Sequence, residues 1–393
     1  VLLAGVAVAQ APPPPADAPE PAVSESTAAE TGRRVVAVGD VHGAYNGVRS
    51  ILRQVGLIDG DDRWIGGDAV LVQAGDFLDR GPGATKVAEL LMELQRQAPE
   101  AGGEVIVLLG NHEVLNLYGD YRYLTKYIVR NLVDANSEKR REVSCNAYAS
   151  FYRRRAIENR QKPPKRGYLL ERCHEDQPLG FVEYLREIGP EGTIGAWMRQ
   201  LPTAVEVGGV VFVHGGISPG LADRDLEKLN REVRREIATF DRARDRLIER
   251  DLILPTSGLG EVVGVARQLV RSGGGGGSGF PLSSDVREVA TIEEWLTVRE
   301  DGPLWFRGYA NWSDEEGEAA MPAILDQLGA GHVVVGHSPQ EAHAILPRFD
   351  SRVFLIDTGM LNSYYGGQPS ALEIAGDRFT AVYLSHRSQL AGP

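Results

Sequence analysis

The strongest constraint on this chain is a pattern that occurs three times: a short β-like run that ends in a glycine-flanked polar motif, followed by a helical stretch. "RVVAV" (34–38) runs into "GDVHG", "AVLVQ" (69–73) into "AGDFLDRG", and "EVIVLL" (104–109) into "GNHE". Between the first two, Val48, Ile51, Leu52 and Val55 keep helical spacing. After the second, Val87, Leu90, Leu91 and Leu94 mark one face of a helix over roughly 84–97. Short apolar strands alternating with amphipathic helices imply parallel crossover units. Asp40 and Asp76 are 36 residues apart, Asp76 and Asn111 35, and each interval fits one crossover. All three polar loops are therefore expected at one sheet edge, where ligands gather at the carboxyl ends of strands.

The remainder of the chain divides by pattern. After Glu113 about ninety residues read as helical and polar; they contain Tyr121, Tyr123, Tyr127, the cluster "FYRRR" and both cysteines. Strand character returns at "AVEV" and "GVVFVHGG" (204–216). A charged helix follows over 221–250, its apolar stripe formed by Leu226, Leu229, Val233, Ile237 and Phe240. The charges on that helix are read as a solvated face. "SGGGGGSG" (272–279) is read as a flexible loop; it is no phosphate-binding P-loop, because no Gly-Lys-Ser/Thr follows. Strands resume at "HVVVGHS", "RVFLIDTG", "ALEIA" and "FTAVYL", enough to complete a second sheet.

The formal net charge of -12 argues against a general electrostatic grip on nucleic acid or an anionic membrane. No later stretch has the 18 or so uninterrupted apolar residues of a membrane span. The start, "VLLAGVAVAQA", reads as the tail of a secretory signal peptide, and "APPPPADAPEPAVSESTAAETG" as a Pro- and Ala-rich tether. Residues 1–32 are thus expected to lie outside a single folded domain over 33–390, in an exported and periplasmic protein.

Asp40, His42, Asp76, Asn111, His214 and His337 all lie just after β-like runs and beside glycines. They are oxygen and nitrogen donors, and neither cysteine falls in these motifs. Such a set suits Mn, Fe or Zn. His174, His332, His343 and His386 have no motif partner and are read as structural or surface residues.

"GDVHG", "GDFLDRG", "GNHE", "VHGG" and "VGHS", in that order, make the chain resemble the phosphoprotein phosphatases of the calcineurin-like metallophosphoesterase superfamily. The long interval from "GNHE" to "HGG", the stretch "GPLWFRGY" and the exit "IDTGMLNSYYGG" resemble the bacterial branch called Shewanella-like phosphatases. The resemblance covers residues 34 to about 385. It implies an α/β fold in which a β-sandwich is flanked by helices, with a helical insert, a cap, after the third strand at about 116–202.

The resemblance also implies roles. Asp40 and His42 would bind the first of two divalent metal ions, Asp76 would bridge both, and Asn111, His214 and His337 would complete the second. Arg80 would clamp phosphate oxygens, with Arg307 as a second clamp and Asn111 also facing the substrate. His112 would act as general acid and Asp79 would orient its ring. Two cations stabilise the attacking and leaving oxygens of an in-line displacement, and a hydroxide bridging them would attack phosphorus directly.

The expected activity is phosphomonoester hydrolysis on phosphoproteins. Phosphotyrosine is expected over phosphoserine and phosphothreonine, with Tyr121, Tyr123, Tyr364 and Tyr365 as candidate aromatic edges. Alternatives are a hydrolase of small phosphates such as dinucleoside polyphosphates, and a non-catalytic module on a decayed fold; the complete ligand set argues against the latter. Cys145 and Cys173, the only cysteines, are expected to pair in an exported chain.

Overall fold

The computed structural model describes residues 32–222, 224–273 and 282–392. The leader and tether expected over 1–32, Gly32 apart, lie outside the described residues, as does most of the glycine-rich loop at 272–279. Strand β1 (Val35–Val38) is buried along its whole length, and its alternation decides the layering. Val35 and Ala37 face one apolar cluster, Val36 and Val38 another. Side chains of a strand point alternately to opposite faces, so a continuous apolar run must be covered on both. One face meets a second sheet and the other meets helices.

The elements follow in chain order. After β1 come α1 (Tyr45–Gln54), β2 (Val70–Gln73), α2 (Ala84–Gln97) and β3 (Glu104–Val107). A helical stretch holds α3 (Asn111–Leu117), α4 (Lys126–Arg130), α5 (Ser137–Glu158), α6 (Arg166–Asp176), α7 (Phe181–Ile188) and α8 (Thr193–Met198). Next are β4 (Ala204–Val207), β5 (Val210–Val213), α9 (Leu226–Glu249), α10 (Leu259–Arg271), α11 (Ser284–Val289), α12 (Gly308–Asn311) and α13 (Asp314–Leu328). The chain ends with β6 (His332–Val335), β7 (Leu346–Arg348), β8 (Val353–Leu355), α14 (Asn362–Tyr365), β9 (Ser370–Ala375), β10 (Arg378–Tyr383) and β11 (Arg387–Ala391).

Among the described residues two sheets form, of six strands ordered β11-β10-β9-β1-β2-β3 and five ordered β4-β5-β6-β8-β7. Between them lies a core containing Val35, Ala37, Val70, Val72, Phe212, Val334, Phe354, Leu372 and Phe379. The sandwich flanked by helices is the expected architecture. One expectation is corrected: "ALEIA" and "FTAVYL" do not join the second sheet. β9 pairs antiparallel with β1, Val35 opposite Ile374, so both strands extend the first sheet. The parallel sets β1-β2-β3 and β5-β6-β8 send their carboxyl ends to a common edge.

Cys145 on α5 and Cys173 on α6 are disulfide-bonded and fully buried, with Cα atoms 5.5 Å apart. Among the described residues no helix is long and apolar enough to cross a membrane.

Candidate metal centre and phosphate site

The loops after β1 and β2 are zipped together by their backbones. Val41 and His42 N–H both donate to the Asp76 carbonyl, at 3.0 and 2.9 Å, and Gly43 N–H donates to Phe77 O at 3.1 Å. The loop after β3 joins them through Glu113, which is fully buried on α3. Its carboxylate accepts the N–H groups of Asp76 and Gly110, each at 2.8 Å, and of Phe77 (3.1 Å) and Leu78 (3.0 Å). Glycine is required where these loops touch. A Cβ on Gly110 would sit 2.2 Å from Asp76 Oδ1, and one on Gly336 would sit 2.3 Å from Asp40 Oδ1.

Five non-glycine residues of this edge adopt left-handed backbone: His42, Asp76, Asp79, Arg80 and His337, with φ between 45° and 68°. Such conformations are disfavoured for L-residues and persist where surrounding contacts over-determine them. Here they turn the side chains inward.

Asp76 lies at the centre. Its Oδ1 accepts the His112 N–H at 2.9 Å, which leaves Oδ2 facing three imidazoles. That oxygen is 3.3 Å from His214 Nε2, 3.6 Å from His42 Nε2 and 3.8 Å from His112 Nε2. Each ring is oriented from behind through Nδ1: His42 on Leu78 O at 3.0 Å, His214 on Ala74 O at 2.8 Å, His112 on Asp79 Oδ2 at 2.8 Å. Pinning Nδ1 in this way is how ligating histidines are held with Nε2 toward a metal.

The donor atoms of His42, Asp76 and His112 lie within 4.8 Å of one another, and so do those of Asp76, His214 and His337. Asn111 Oδ1 sits 2.9 Å from His214 Nε2, and Asp40 Oδ2 3.8 Å from His42 Nε2. His337 Nε2 is buried and has no hydrogen-bond partner among the described residues. Two nitrogen- and oxygen-lined clusters that share one carboxylate fit a pair of divalent cations. All six ligands expected from the sequence converge here. His112, expected to be an acid, also borders the first cluster.

The charges point the same way. Burial would raise Asp76, but the His214, His112 and His42 rings outweigh it and hold the carboxyl well below its ordinary range. Burial lowers His214, yet the Asp76 and Asp40 carboxylates carry it up to about 10. Asp40 is pushed well above its ordinary value by burial and then by the charge of Asp357. Asp357 is itself raised by burial to about 6. So much buried carboxylate calls for cations.

Arg80 spans the mouth. Its Nη1 lies 3.1 Å from His42 Nε2 and its Nη2 3.1 Å from His112 Nε2. Three tyrosine rings surround the guanidinium, with centroids 5.1 Å (Tyr123), 4.9 Å (Tyr364) and 5.0 Å (Tyr365) from Cζ. Arg307 stands across the site and donates from Nη1 to His337 O at 2.9 Å and Ser338 Oγ at 3.0 Å. The cavity between them is about 280 Å³ and is lined by Asp40, His42, Asp76, Asn111, His112 and His337 together with both arginines and these tyrosines.

Tyr121, expected as an aromatic edge, is elsewhere. It packs edge-on against Phe181 and Tyr184, 5.6 and 6.3 Å between centroids, because its place is in the helical stretch behind the site. Glu113, Asn116 and Tyr184 were not anticipated from the sequence. Asn116 follows His112 by one helical turn, a spacing that could have flagged it.

The chain belongs to the calcineurin-like phosphoesterase family, a family of metal-dependent phosphoesterases, whose model matches residues 33–341. Within it, the chain is 33% identical over 365 residues to Shewanella-like protein phosphatase 2 of Arabidopsis thaliana, covering 91% of this chain and 79% of that protein. It is 24% identical over 356 residues to Shewanella-like protein phosphatase 1 of Plasmodium berghei, covering 89% and 74%. In fold it is similar to the crystal structure of a cold-active protein-tyrosine phosphatase from a psychrophilic Shewanella species: TM-score 0.58, 24% identity, 91% of this chain and 80% of that one. The resemblance drawn from the five motifs is borne out.

Proposed function

We propose that this chain is a dinuclear-metal phosphomonoesterase acting on phosphoproteins, with phosphotyrosine its preferred substrate. The observation that carries the reading is the position of Arg80. Its two terminal nitrogens reach the rings of His42 and His112 at the edge of the first ligand cluster, while its guanidinium sits inside a collar of Tyr123, Tyr364 and Tyr365.

In this reading Asp40, His42 and Asp76 hold one cation, and Asp76, Asn111, His214 and His337 the other. When bound, the pair supplies Lewis-acid charge and an activated water for displacement at phosphorus. Arg80 binds two phosphate oxygens with its planar fork, Arg307 binds a third, and the Asn111 amide faces the same phosphate. His112 presents Nε2 beside the phosphate held by Arg80 and protonates the leaving oxygen. Asp79 accepts the Nδ1–H of that ring and keeps the tautomer.

Selectivity then belongs to the walls. A phenyl ring carries phosphorus farther from the peptide backbone than a serine methylene does, so a site recessed behind three tyrosines favours it. Shape discrimination of this kind is worth about 1–3 kcal/mol, roughly 10–200-fold. The helical stretch 116–202 is read as a cap that contributes Tyr123 to this wall. The names of the protein phosphatase relatives support a phosphoprotein substrate. Export is proposed from the apolar start of the chain together with the Cys145–Cys173 bond, which suits an oxidising compartment.

The test is kcat/KM on matched peptides that differ only in the phosphorylated residue. Phosphotyrosine should lead by at least about tenfold, and Tyr364→Ala with Tyr365→Ala should erase the lead. A phosphoserine value equal to that for phosphotyrosine would overturn the preference.

A further inference from the structure

Behind His112 the hydrogen bonding does not stop at Asp79. Asn116, one turn further along α3, donates from Nδ2 to Asp79 Oδ2 at 3.0 Å and to the His112 carbonyl at 2.8 Å. Its Oδ1 accepts from the Tyr184 hydroxyl at 2.7 Å. The amide has only one tenable orientation. Flipped, its oxygen would face a carboxylate and a carbonyl, neither of which can donate to it. The order is therefore Tyr184 O–H to Asn116 Oδ1, Asn116 Nδ2–H to Asp79 Oδ2, and His112 Nδ1–H to that same oxygen.

Every member is buried: Asp79, Asn116, His112 and Tyr184 expose 2% or less. Asp79 has a left-handed backbone, φ 64°, and among the described residues its Oδ1 has no partner. The rotamer of this carboxylate is thus fixed by Oδ2 alone, shared between the acid and Asn116. Tyr184 arrives from α7, where Phe181, Tyr184 and Ile188 form the buried stripe. Its ring is held edge-on by Tyr121. A residue of the helical stretch after β3 thereby reaches a side chain of the phosphate-binding loop.

We infer that Tyr184 and Asn116 are positioning residues that set the Asp79–His112 pair for protonation of the leaving oxygen. This rests on the reading of His112 as the general acid. Neither residue lines the cavity at the ligand clusters, so their effect passes through Asp79 and the backbone of His112.

The experiment compares phenyl phosphate, a poor leaving group, with p-nitrophenyl phosphate, a good one, on the metal-loaded enzyme. Tyr184→Phe removes one hydroxyl and keeps the ring. It should lower kcat for phenyl phosphate about tenfold, a part of the 10²–10⁴ that a general acid supplies. It should change p-nitrophenyl phosphate by less than about twofold and leave KM in place. Asn116→Ser should show the same selectivity and serves if Tyr184→Phe melts early. In a His112→Asn background, Tyr184→Phe should cost nothing further on either substrate, whereas a merely structural role would add its loss there too. Should His112→Asn itself lose both substrates equally, the reading of His112 as acid fails. Should His112→Asn be leaving-group selective while Tyr184→Phe is neutral, or harms both substrates alike, the inference fails and the acid stands.

Discussion

Glu113→Gln isolates the device that holds the three loops together. The wild-type carboxylate takes four backbone N–H groups, two on each oxygen, from Gly110, Asp76, Phe77 and Leu78. Burial and the charge of Asp76 raise its pKa to about 7, so at pH 8 it is ionised and all four donors face lone pairs. Glutamine keeps the volume and one oxygen but turns an NH2 toward two of those donors. Two buried N–H groups then lose their partner, at about 1–3 kcal/mol each, for a total of about 2–6 kcal/mol. That is a large share of the ~5–15 kcal/mol that holds a typical domain together. The same donors flank Asp76 and precede Asn111, so the metal clusters should loosen with the loops. Urea unfolding at pH 8 measures the first effect and metal per chain after gel filtration the second. Glu236→Gln is the control. Glu236 is also buried and accepts Leu296 and Thr297 N–H at 2.9 and 3.0 Å, away from the site. It should lose stability without losing metal. A Glu113→Gln variant within about 0.5 kcal/mol of wild type, fully loaded with metal, would refute the reasoning.

Elemental analysis should find two divalent ions per chain, with chelation abolishing turnover. Asp76→Asn should lower occupancy at both positions at once because Asp76 belongs to both clusters, and activity surviving full chelation would contradict this. Arg80→Lys should raise KM for p-nitrophenyl phosphate about 10–100-fold, since a lysine replaces a two-pronged charge-assisted contact by a point charge; an unchanged KM would remove Arg80 from phosphate binding. Reducing the Cys145–Cys173 bond, 28 residues apart in sequence, should cost at most about 3–4 kcal/mol in the chain-entropy estimate while metal content stays constant. Two reactive thiols in the unfolded, unreduced protein would show that the bond is not formed in solution.

The proposed metal ligands could be picked out in the sequence because each is anchored locally. Asp40, Asp76, Asn111, His214 and His337 follow apolar runs that could only be buried strands, and parallel strands put their exits at one edge. Helix α2 was legible for the same kind of reason: its apolar positions recur with the period of the element itself. Sheet membership was not legible for β9 and β10. A strand's alternation specifies that it has an inner face, and says nothing of which neighbour completes its hydrogen bonds. β9 found the free edge of β1 across more than 330 residues of chain, Val35 opposite Ile374.

Tyr121 and Tyr184 show the same boundary at the level of the site. Tyr121 sits two residues from Tyr123, so sequence reasoning grouped them. The turn between Asp120 and Leu124 sends Tyr123 to Arg80 and Tyr121 into the helices. Tyr184 carries no local mark of its role: it occupies an ordinary core position on an amphipathic helix, and a hydroxyl in a core reads as a residue that needs one partner. Only packing shows that its partner is Asn116, 68 positions earlier, and that Asn116 holds Asp79, the aspartate bonded to His112. Side chains that line the site were encoded beside strands. Those that aim them were encoded wherever tertiary contact happened to deliver a donor. A substitution at such a position should therefore leave the five motifs intact and still impair the step they serve.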